Sequence, residues 1–586
     1  MNIQKQLKKS EDLIRSGQLD SAITSLQSTL KKFPKQFQAH GLLGMAYAFK
    51  NNYSDAEKHF KLSLSSFFNI QAAKNLITLL IQQKRWHEAL PWSQQLNENF
   101  PSEKIKMLNH ALILRNIGRV NDALDVYKDL LEKYPQNINI YISYGFTLNS
   151  LERFQEAIDI YLQGMEIESE DFGILYNIGI TYLNQFDYSN ALKYLILAQH
   201  QNNKSIDLLL TIAVCYAKKR DFDAAYHSVE EAKKLEPNNP LIPFQMGTLF
   251  MQQDKNAMAM EYFDQAIKLE PNHIEANYHK GLLYLKEEKY KEAMQYYRYR
   301  VIRKNNKFGK FNDFELPKIN KDSEILLSCE QGIGDEILYL SLLNYIKDKV
   351  RSITYITSGK LLDWLKINLD NINIITDKES NEYIQKNPQR TELNAASLLA
   401  YVDDWESFFN HPIKYSASES LRAGFEKKYK SNTEKIIGIS WMSANKKIGD
   451  EKSIPLNQMS PILKKNKIIS LQYGNVTKEI EKMNAIEDIN ILYDDELDYY
   501  NDINGLAALI SICDVVVTCS NVTAHIAGRL GINTYLMVPK NFGNLWYWNE
   551  TQEQSKWYPS ITIIRQKEDM NWSETIETVR KNLTKY

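Results

Sequence analysis

The stretch SCEQGIGDEILYL, Ser328 to Leu340, reads as the end of an apolar strand, a turn loosened by Gly332 and Gly334, and the start of an apolar helix. Such a turn delivers one carboxylate, Asp335, to a helix N-terminus at the carboxyl edge of a parallel strand, where open α/β sheets bind ligands. On these residues alone two readings stand. Aspartate caps helices and glycine permits tight turns, so the segment can be purely structural. A carboxylate in a cleft can also take the proton of a hydroxyl as that oxygen attacks an electrophile. A second segment, ICDVVVTCSNVTAHIAGRLGINTYLMVP, repeats the plan, with Ser520, Asn521, Thr523 and His525 on the turn and first helical turn. Free N–H groups and small hydroxyls at a helix N-terminus form an anion site suited to a diphosphate. Taken alone, His525 is equally explained as a half-buried helix residue.

Both turns need parallel sheets to present them. From about residue 308 short β-branched runs appear: EILLSC, SITYIT, INIIT, then KIIGISW, KIISLQ, INILY, VVVTC, TYLMV and ITIIR, with helical patterns between several of them. They fall into two groups on either side of the polar stretch EKKYKSNTEK. The expectation is an α/β region of two Rossmann-like lobes, residues 323–434 and 435–586, facing a cleft, with residues 308–322 as the connection from what precedes.

What precedes is repetitive. Segments HGLLGMAYAFKNNYSDAEKHFKLSL, YISYGFTLNSLERFQEAIDIYLQGM, LYNIGITYLNQFDYSNALKYLILAQ and YHKGLLYLKEEKYKEAMQYYRYRV share a period of about 34 residues. Each sets a glycine (Gly44, Gly145, Gly179, Gly281) twelve residues before an alanine (Ala56, Ala157, Ala191, Ala293), with a large residue (Phe60, Tyr161, Leu195, Tyr297) four further on. Two antiparallel helices approach closely only where one side is small, and the bulky residue fills the next groove. Prolines at 34, 101, 135, 237 and 271 punctuate the pattern, and the alanines Ala22, Ala56, Ala89, Ala123, Ala157, Ala191, Ala225, Ala259 and Ala293 mark nine repeats over residues 1–307. The pattern resembles the tetratricopeptide repeat. An α-solenoid with a concave face that holds a peptide or protein is what the resemblance implies; a spacer or oligomerisation arm is the plainer alternative. The solenoid and the α/β region are expected to be separable at 307/308.

Composition excludes other classes. With 71 Lys+Arg against 72 Asp+Glu the formal charge is −1, so nothing draws the chain as a whole to nucleic acid or anionic lipid. No stretch approaches the roughly 18 apolar residues of a membrane span, and MNIQKQLKKSEDL lacks an apolar signal core; the expectation is an unexported, cytoplasmic protein. Cys215, Cys329, Cys513 and Cys519 show no CxxC spacing and sit in apolar segments, which suits buried thiols in place of disulfides or zinc ligands.

Five motifs in order over residues 308–572, EQGIGDEILYLSLL, IGISWMSANKKIGDEKSIPL, IISLQYGN, LAALISICDVVVTCSNVTAHIAGRLG and KWYPSITIIRQ, resemble the two-lobed GT-B glycosyltransferases related to the heptosyltransferases, in the bacterial subgroup with N-terminal tetratricopeptide repeats. The resemblance implies Asp335 as the base that deprotonates the acceptor hydroxyl. It implies Lys452 and Ser453 beside the donor phosphates, Trp441, Ser443 and Gln472 at strand ends against the nucleotide, and Thr523 and His525, in the turn with Ser520 and Asn521, on the diphosphate. A nucleotide sugar is then the donor substrate, with no metal and no further cofactor, provided the helix dipole and side chains stabilise the leaving diphosphate. Two departures stand out. Many relatives carry aspartate at Ser520, and an arginine where Tyr547 stands between Trp546 and Trp548; losing it removes a forked phosphate donor that Lys446, Lys447 or Arg529 would have to replace.

The implied function is sugar transfer to Ser or Thr of a protein acceptor held by the repeats. Flagellin is the preferred acceptor, because repeat proteins with this layout include flagellin-modifying transferases. The competing readings are a non-catalytic repeat scaffold with a vestigial GT-B domain, and a transferase acting on a glycan or lipid acceptor. Retention of Asp335, Lys452 and His525 together argues against the scaffold, and the lack of an apolar or polybasic membrane patch argues against lipid.

Overall fold

The computed structural model describes residues 3–100, 104–202, 204–303, 311–431, 434–445, 448–540, 543–548, 552–568 and 570–585. The chain forms two compact units, Met1–Leu235 and Glu236–Tyr586.

The first unit is all-helical, a series of antiparallel pairs running from Ile3–Arg15 with Leu19–Lys32 to Ile206–Lys218 with Phe222–Leu235. The register read from the sequence is the packing register. Every one of the nine marker alanines is fully buried. A Cβ on Gly44 would stand 2.6 Å from the Phe60 ring, one on Gly145 2.4 Å from Tyr161, and one on Gly179 2.6 Å from Leu195. The small residue exists because the large one four beyond the alanine occupies its side-chain space. Between paired helices the chain turns through one left-handed residue, such as Asn51 (φ 59°), Lys84 (φ 57°) or Glu152 (φ 58°), with glycine there only at Gly17 and Gly118 among the described positive-φ turns of this unit. The expected N-terminal tetratricopeptide solenoid is thus what these residues fold into.

The second unit begins with two more such pairs, Leu241–Gln252 with Asn256–Leu269 and Ile274–Lys286 with Tyr290–Tyr297, followed by a 3-10 turn, Arg298–Ile302. The contact boundary therefore falls at 235/236, not where the repeat period ends at 307/308. The reason is burial. Tyr290, Met294 and Tyr297 join one apolar core with Ile337, Leu340 and Leu399, and the Tyr290 ring stacks 3.9 Å from that of Trp405. Residues 311–322, expected as a connection, are also built in. Phe311 packs with Leu326, Ile356 and Ile375, and Asp313 accepts the Asn394 N–H at 2.7 Å.

Two all-parallel sheets follow. The first holds β1 (Glu324–Ser328), β2 (Ser352–Thr357), β3 (Asn373–Thr376) and β4 (Thr391–Asn394) in the order β3-β2-β1-β4. The second holds β5 (Ile436–Ser440), β6 (Lys467–Ser470), β7 (Ile491–Leu492), β8 (Val515–Cys519), β9 (Thr534–Val538) and β10 (Ile561–Arg565) in the order β10-β9-β8-β5-β6-β7. Both are α/β sheets, and the strand β5 is buried along its whole length, as β-branched runs covered on both faces should be. Sequence pattern missed β4. Its residues, TELN, carry a single large apolar side chain, and it is held instead by pairing with β1 and by Asp313 on Asn394. The strand order reverses between β1 and β4 in one sheet and between β5 and β8 in the other, and at such switch points the outgoing chains splay and leave a crevice. Asp335 follows β1, residues 441–453 follow β5, and Ser520 to His525 follow β8.

No helix among the described residues is long and apolar enough to cross a membrane. The four cysteines are free thiols.

Candidate functional site

The turn after β1 makes its helix, Ile333–Ile346, start at Gly332, which is the N-cap. Asp335 is therefore not the cap residue but sits three positions in, and its Oδ2 accepts the Gly332 N–H at 3.3 Å. Gly334 is required by close approach: a Cβ there would stand 2.9 Å from Cδ2 and 3.0 Å from Nε2 of His525. That contact joins the two turns. Half-buried against them, the Asp335 carboxyl is pushed up to about 6 by burial, while the Gly332 N–H, the charge of Lys452 and the hydroxyl of Tyr547 pull it down and Glu330 pushes it further up. A carboxylate poised there is ionised at neutral pH yet basic enough to hold a proton in transit.

The turn after β8 leads into the helix Val522–Leu530, capped by Asn521. The Asn521 Oδ1 accepts the Thr523 N–H at 3.0 Å and the Thr518 hydroxyl at 3.1 Å, and its Nδ2 donates to Ser440 Oγ at 2.7 Å and to the Met442 carbonyl at 3.1 Å. Gln472 does the same work from just beyond β6. Its Oε1 accepts the N–H groups of Trp441 (2.9 Å) and Met442 (2.8 Å) and the Ser440 hydroxyl (3.0 Å). The two amides clamp the end of β5. Ser520 Oγ accepts the indole N–H of Trp548 at 2.9 Å, and Trp441 is buried with its indole on Glu479 at 3.2 Å. Ser453 Oγ accepts the Ser443 N–H at 3.0 Å and donates to the Gly449 carbonyl at 2.7 Å.

Three groups differ from these satisfied ones. Thr523 is fully buried and its hydroxyl has no hydrogen-bond partner among the described residues. Such a group costs about 1–3 kcal/mol unless something later pairs with it. Lys452 is 5% exposed, forms no hydrogen bond or ion pair among the described residues, and burial lowers its pKa while Cys519 and Asp335 raise it. Gly543, at φ 95°, lies on its stem, 3.3 Å from a would-be Cβ to Lys452 Cγ. His525 hydrogen-bonds Tyr558 OH through Nδ1 at 2.9 Å, packs against Tyr547 and Trp548, and is held down to about 3 by burial and by the charges of Lys452 and Arg529. Its imidazole is neutral, so it offers a phosphate at most one N–H and no charge.

The fold thus gathers Asp335, Lys452, Thr523 and His525, and gives Trp441, Ser443, Ser453, Gln472, Ser520 and Asn521 internal partners that shape the strand ends. Arg529 does not replace the missing arginine. It is buried and donates to the carbonyls of Ile337 (3.3 Å) and Leu338 (3.2 Å), tying the two helices of the site together. Lys446 and Lys447 lie outside the described residues. Sequence reasoning treated Tyr547 only as a loss; it instead packs edge-on against His525 and lowers the pKa of Asp335. The signal available was the Trp-Tyr-Trp run itself, three aromatics with one polar tip.

Comparisons with known proteins speak to the first half. Profiles of the tetratricopeptide repeat match residues 7–67, 107–137, 206–239 and 244–305. Repeats of this class bind peptide or protein partners. Protein FlbA of Caulobacter vibrioides (strain ATCC 19089 / CIP 103742 / CB 15) is 20% identical over 309 residues, 45% of this chain and 48% of that protein, so the chain spans about half the length of the curated relative it matches. Among solved structures, YrrB, a TPR protein with an unusual peptide-binding site, is 22% identical with a TM-score of 0.27, covering 32% of this chain and 98% of its own. A tetratricopeptide repeat protein from Parabacteroides merdae ATCC 43184 is 16% identical with a TM-score of 0.37, covering 42% and 98%.

Proposed function

We propose that the protein is a metal-independent GT-B glycosyltransferase that moves a sugar from a nucleotide sugar to Ser or Thr of a protein acceptor held by its repeats, with flagellin as the first acceptor to try. One observation carries the reading: after β1 stands a carboxylate raised to about 6 that feels the charge of a buried ammonium unpaired among the described residues, and after β8, at a helix N-terminus, stands a buried hydroxyl likewise unpartnered among them. The acceptor oxygen attacks the anomeric carbon while its proton passes to Asp335, and the bond from that carbon to the diphosphate oxygen breaks, its electron pair leaving with the nucleotide. Lys452, the Thr523 hydroxyl and the N–H groups opening Val522–Leu530 would hold the charge that develops there. Titration of the full chain with UDP-, GDP-, dTDP- and CMP-sugars tests this; binding of none sinks it.

A second reading, a non-catalytic scaffold, draws support from the internal engagement of Ser520, Gln472 and Asn521, which leaves a nucleotide fewer donors. It predicts that Asp335→Asn changes nothing in the cell, whereas the enzyme reading predicts loss of the modified acceptor.

A further inference from the structure

The turn that presents Asp335 is held from outside its own sheet. Gln331 adopts φ 70°, a left-handed conformation that residues other than glycine seldom hold without support. Something must keep it there. The residues that do so come from the last repeat. Gln331 Nε2 donates to Tyr297 OH at 2.8 Å, and Tyr297 OH lies 3.4 Å from Tyr339 OH, on the helix that Asp335 begins. One residue earlier, the Glu330 carboxylate is 1% exposed and receives Arg300 Nε at 3.0 and 3.1 Å and Arg300 Nη2 at 2.9 Å. The same guanidinium donates to Ser397 Oγ at 2.6 Å, Ser397 donates to Asp313 Oδ2 at 2.6 Å, and the Ala396 N–H donates to Glu330 Oε1 at 3.1 Å. Tyr278, from the first helix of that repeat, stacks on Tyr297 with ring centroids 5.7 Å apart.

A buried ion pair of this kind is weak as a source of stability, because desolvating both charges offsets their attraction, and apolar residues of similar volume often serve as well. What it does supply is direction. A fork-shaped donor fixes the carboxylate in a plane, and the carboxylate fixes the backbone two residues before Gly332. Burial pushes the Glu330 carboxyl up and Arg300 opposes it, so the residue's charge, which is felt at Asp335, also depends on this repeat.

Resting on the glycosyltransferase reading above, we propose that Tyr297 and Arg300 of the last repeat are positioning residues for the turn that carries Asp335, so that the repeat array forms part of the catalytic apparatus as well as an acceptor-holding arm. Neither side chain touches a reacting atom in this scheme; both act through Gln331 and Glu330.

The test uses the full chain, a panel of UDP-, GDP-, dTDP- and CMP-sugars, and flagellin, with release of free nucleotide as the readout. Tyr297→Phe deletes one hydroxyl and keeps the ring, and Arg300→Lys keeps the charge and loses the fork. Each is expected to lower kcat by about 10- to 100-fold, the scale of a small misplacement of a catalytic group, with donor KM and donor Kd unchanged. The pH midpoint of kcat should also move in Arg300→Lys, which a merely structural role would leave alone. Thermal unfolding of Tyr297→Phe close to that of the parent confirms that the loss is not one of folding. If the parent transfers and Asp335→Asn does not, but Tyr297→Phe and Arg300→Lys keep the parent kcat and midpoint, the positioning role is overturned and the enzyme reading survives. If the parent transfers from no donor, both fall together.

Discussion

The turn after β1 and the turn after β8 share one local plan, a buried parallel strand, a polar turn and a helix N-terminus, yet they end in opposite electrostatic states. In the first, burial lifts a carboxyl to about 6 and a last-repeat clamp fixes the backbone beside it. In the second, burial and nearby cations keep His525 neutral, and the Thr523 hydroxyl is left without a partner among the described residues. On the proposed glycosyltransferase reading the first turn would take up a proton and the second would receive an oxyanion. The difference lies in what packs around each turn and not in the turns themselves.

The clamp predicts the largest effect. A fragment of residues 308–586 loses Arg300, leaves Glu330 buried and unpaired at a cost of about 3–5 kcal/mol, and exposes the surface that Tyr290 and Tyr297 cover. It should aggregate, whereas a fragment of residues 236–586 should be monomeric and unfold cooperatively; equal behaviour in gel filtration and calorimetry would remove the clamp from the account.

Next comes Asp335→Asn. Asparagine can still accept the Gly332 N–H, so a structural residue would tolerate it, while loss of a base cuts turnover by roughly 10²–10⁴-fold with donor binding intact. Lys452→Met and Thr523→Ala probe the segments after β5 and β8. The first should weaken binding of a nucleoside diphosphate by about 10- to 100-fold, the worth of a hydrogen bond to a charged group, and the second by about 10-fold. Thr523→Ala should not destabilise the free protein, since its hydroxyl has no bond to lose among the described residues. Calorimetric titration gives both numbers, and unchanged affinity in both places the diphosphate elsewhere.

The two turns also predict opposite pH trends in stability. The folded pKa of Asp335 lies above the ordinary 3.8, so the stability it contributes is complete below that value and is lost as pH rises through about 6. For His525 the folded value lies below the ordinary 6.5, so its contribution is present above 6.5 and is lost as pH falls. Urea unfolding at pH 4, 6 and 8 should show Asp335→Asn gaining on the parent as pH rises, and a gain that is larger at pH 4 would reverse the assignment. The smallest effect belongs to the repeats. Replacing Asn51 by glycine relieves a left-handed residue but loosens the unfolded chain, for a net change within about 1 kcal/mol.

The repeats were legible because their packing is local. Alanine and glycine spacing alone located the contacts of Gly44 with Phe60 and Gly145 with Tyr161, since each partner lies sixteen residues away on the next helix. Nine of the ten strands among the described residues were legible for a similar reason, as short β-branched runs; β4 was not, because its strand is made by its neighbours.

The placement of Asp335, Thr523 and His525 at strand ends also followed from the sequence, through the strand–turn–helix pattern and the order of motifs. Their states did not. Which polar groups are already engaged, as in Asn521 on Ser440, which charges are unpaired among the described residues, as in Lys452, and where the last repeat belongs were decided by residues far apart in the chain. Arg300 reaches Ser397, and Arg529 reaches Ile337. Periodicity reports which face of an element is buried, because that depends on neighbours within a turn or two. Desolvation, charge and hydrogen-bond satisfaction depend on everything that closes over a group, and only the tertiary structure brings those atoms together.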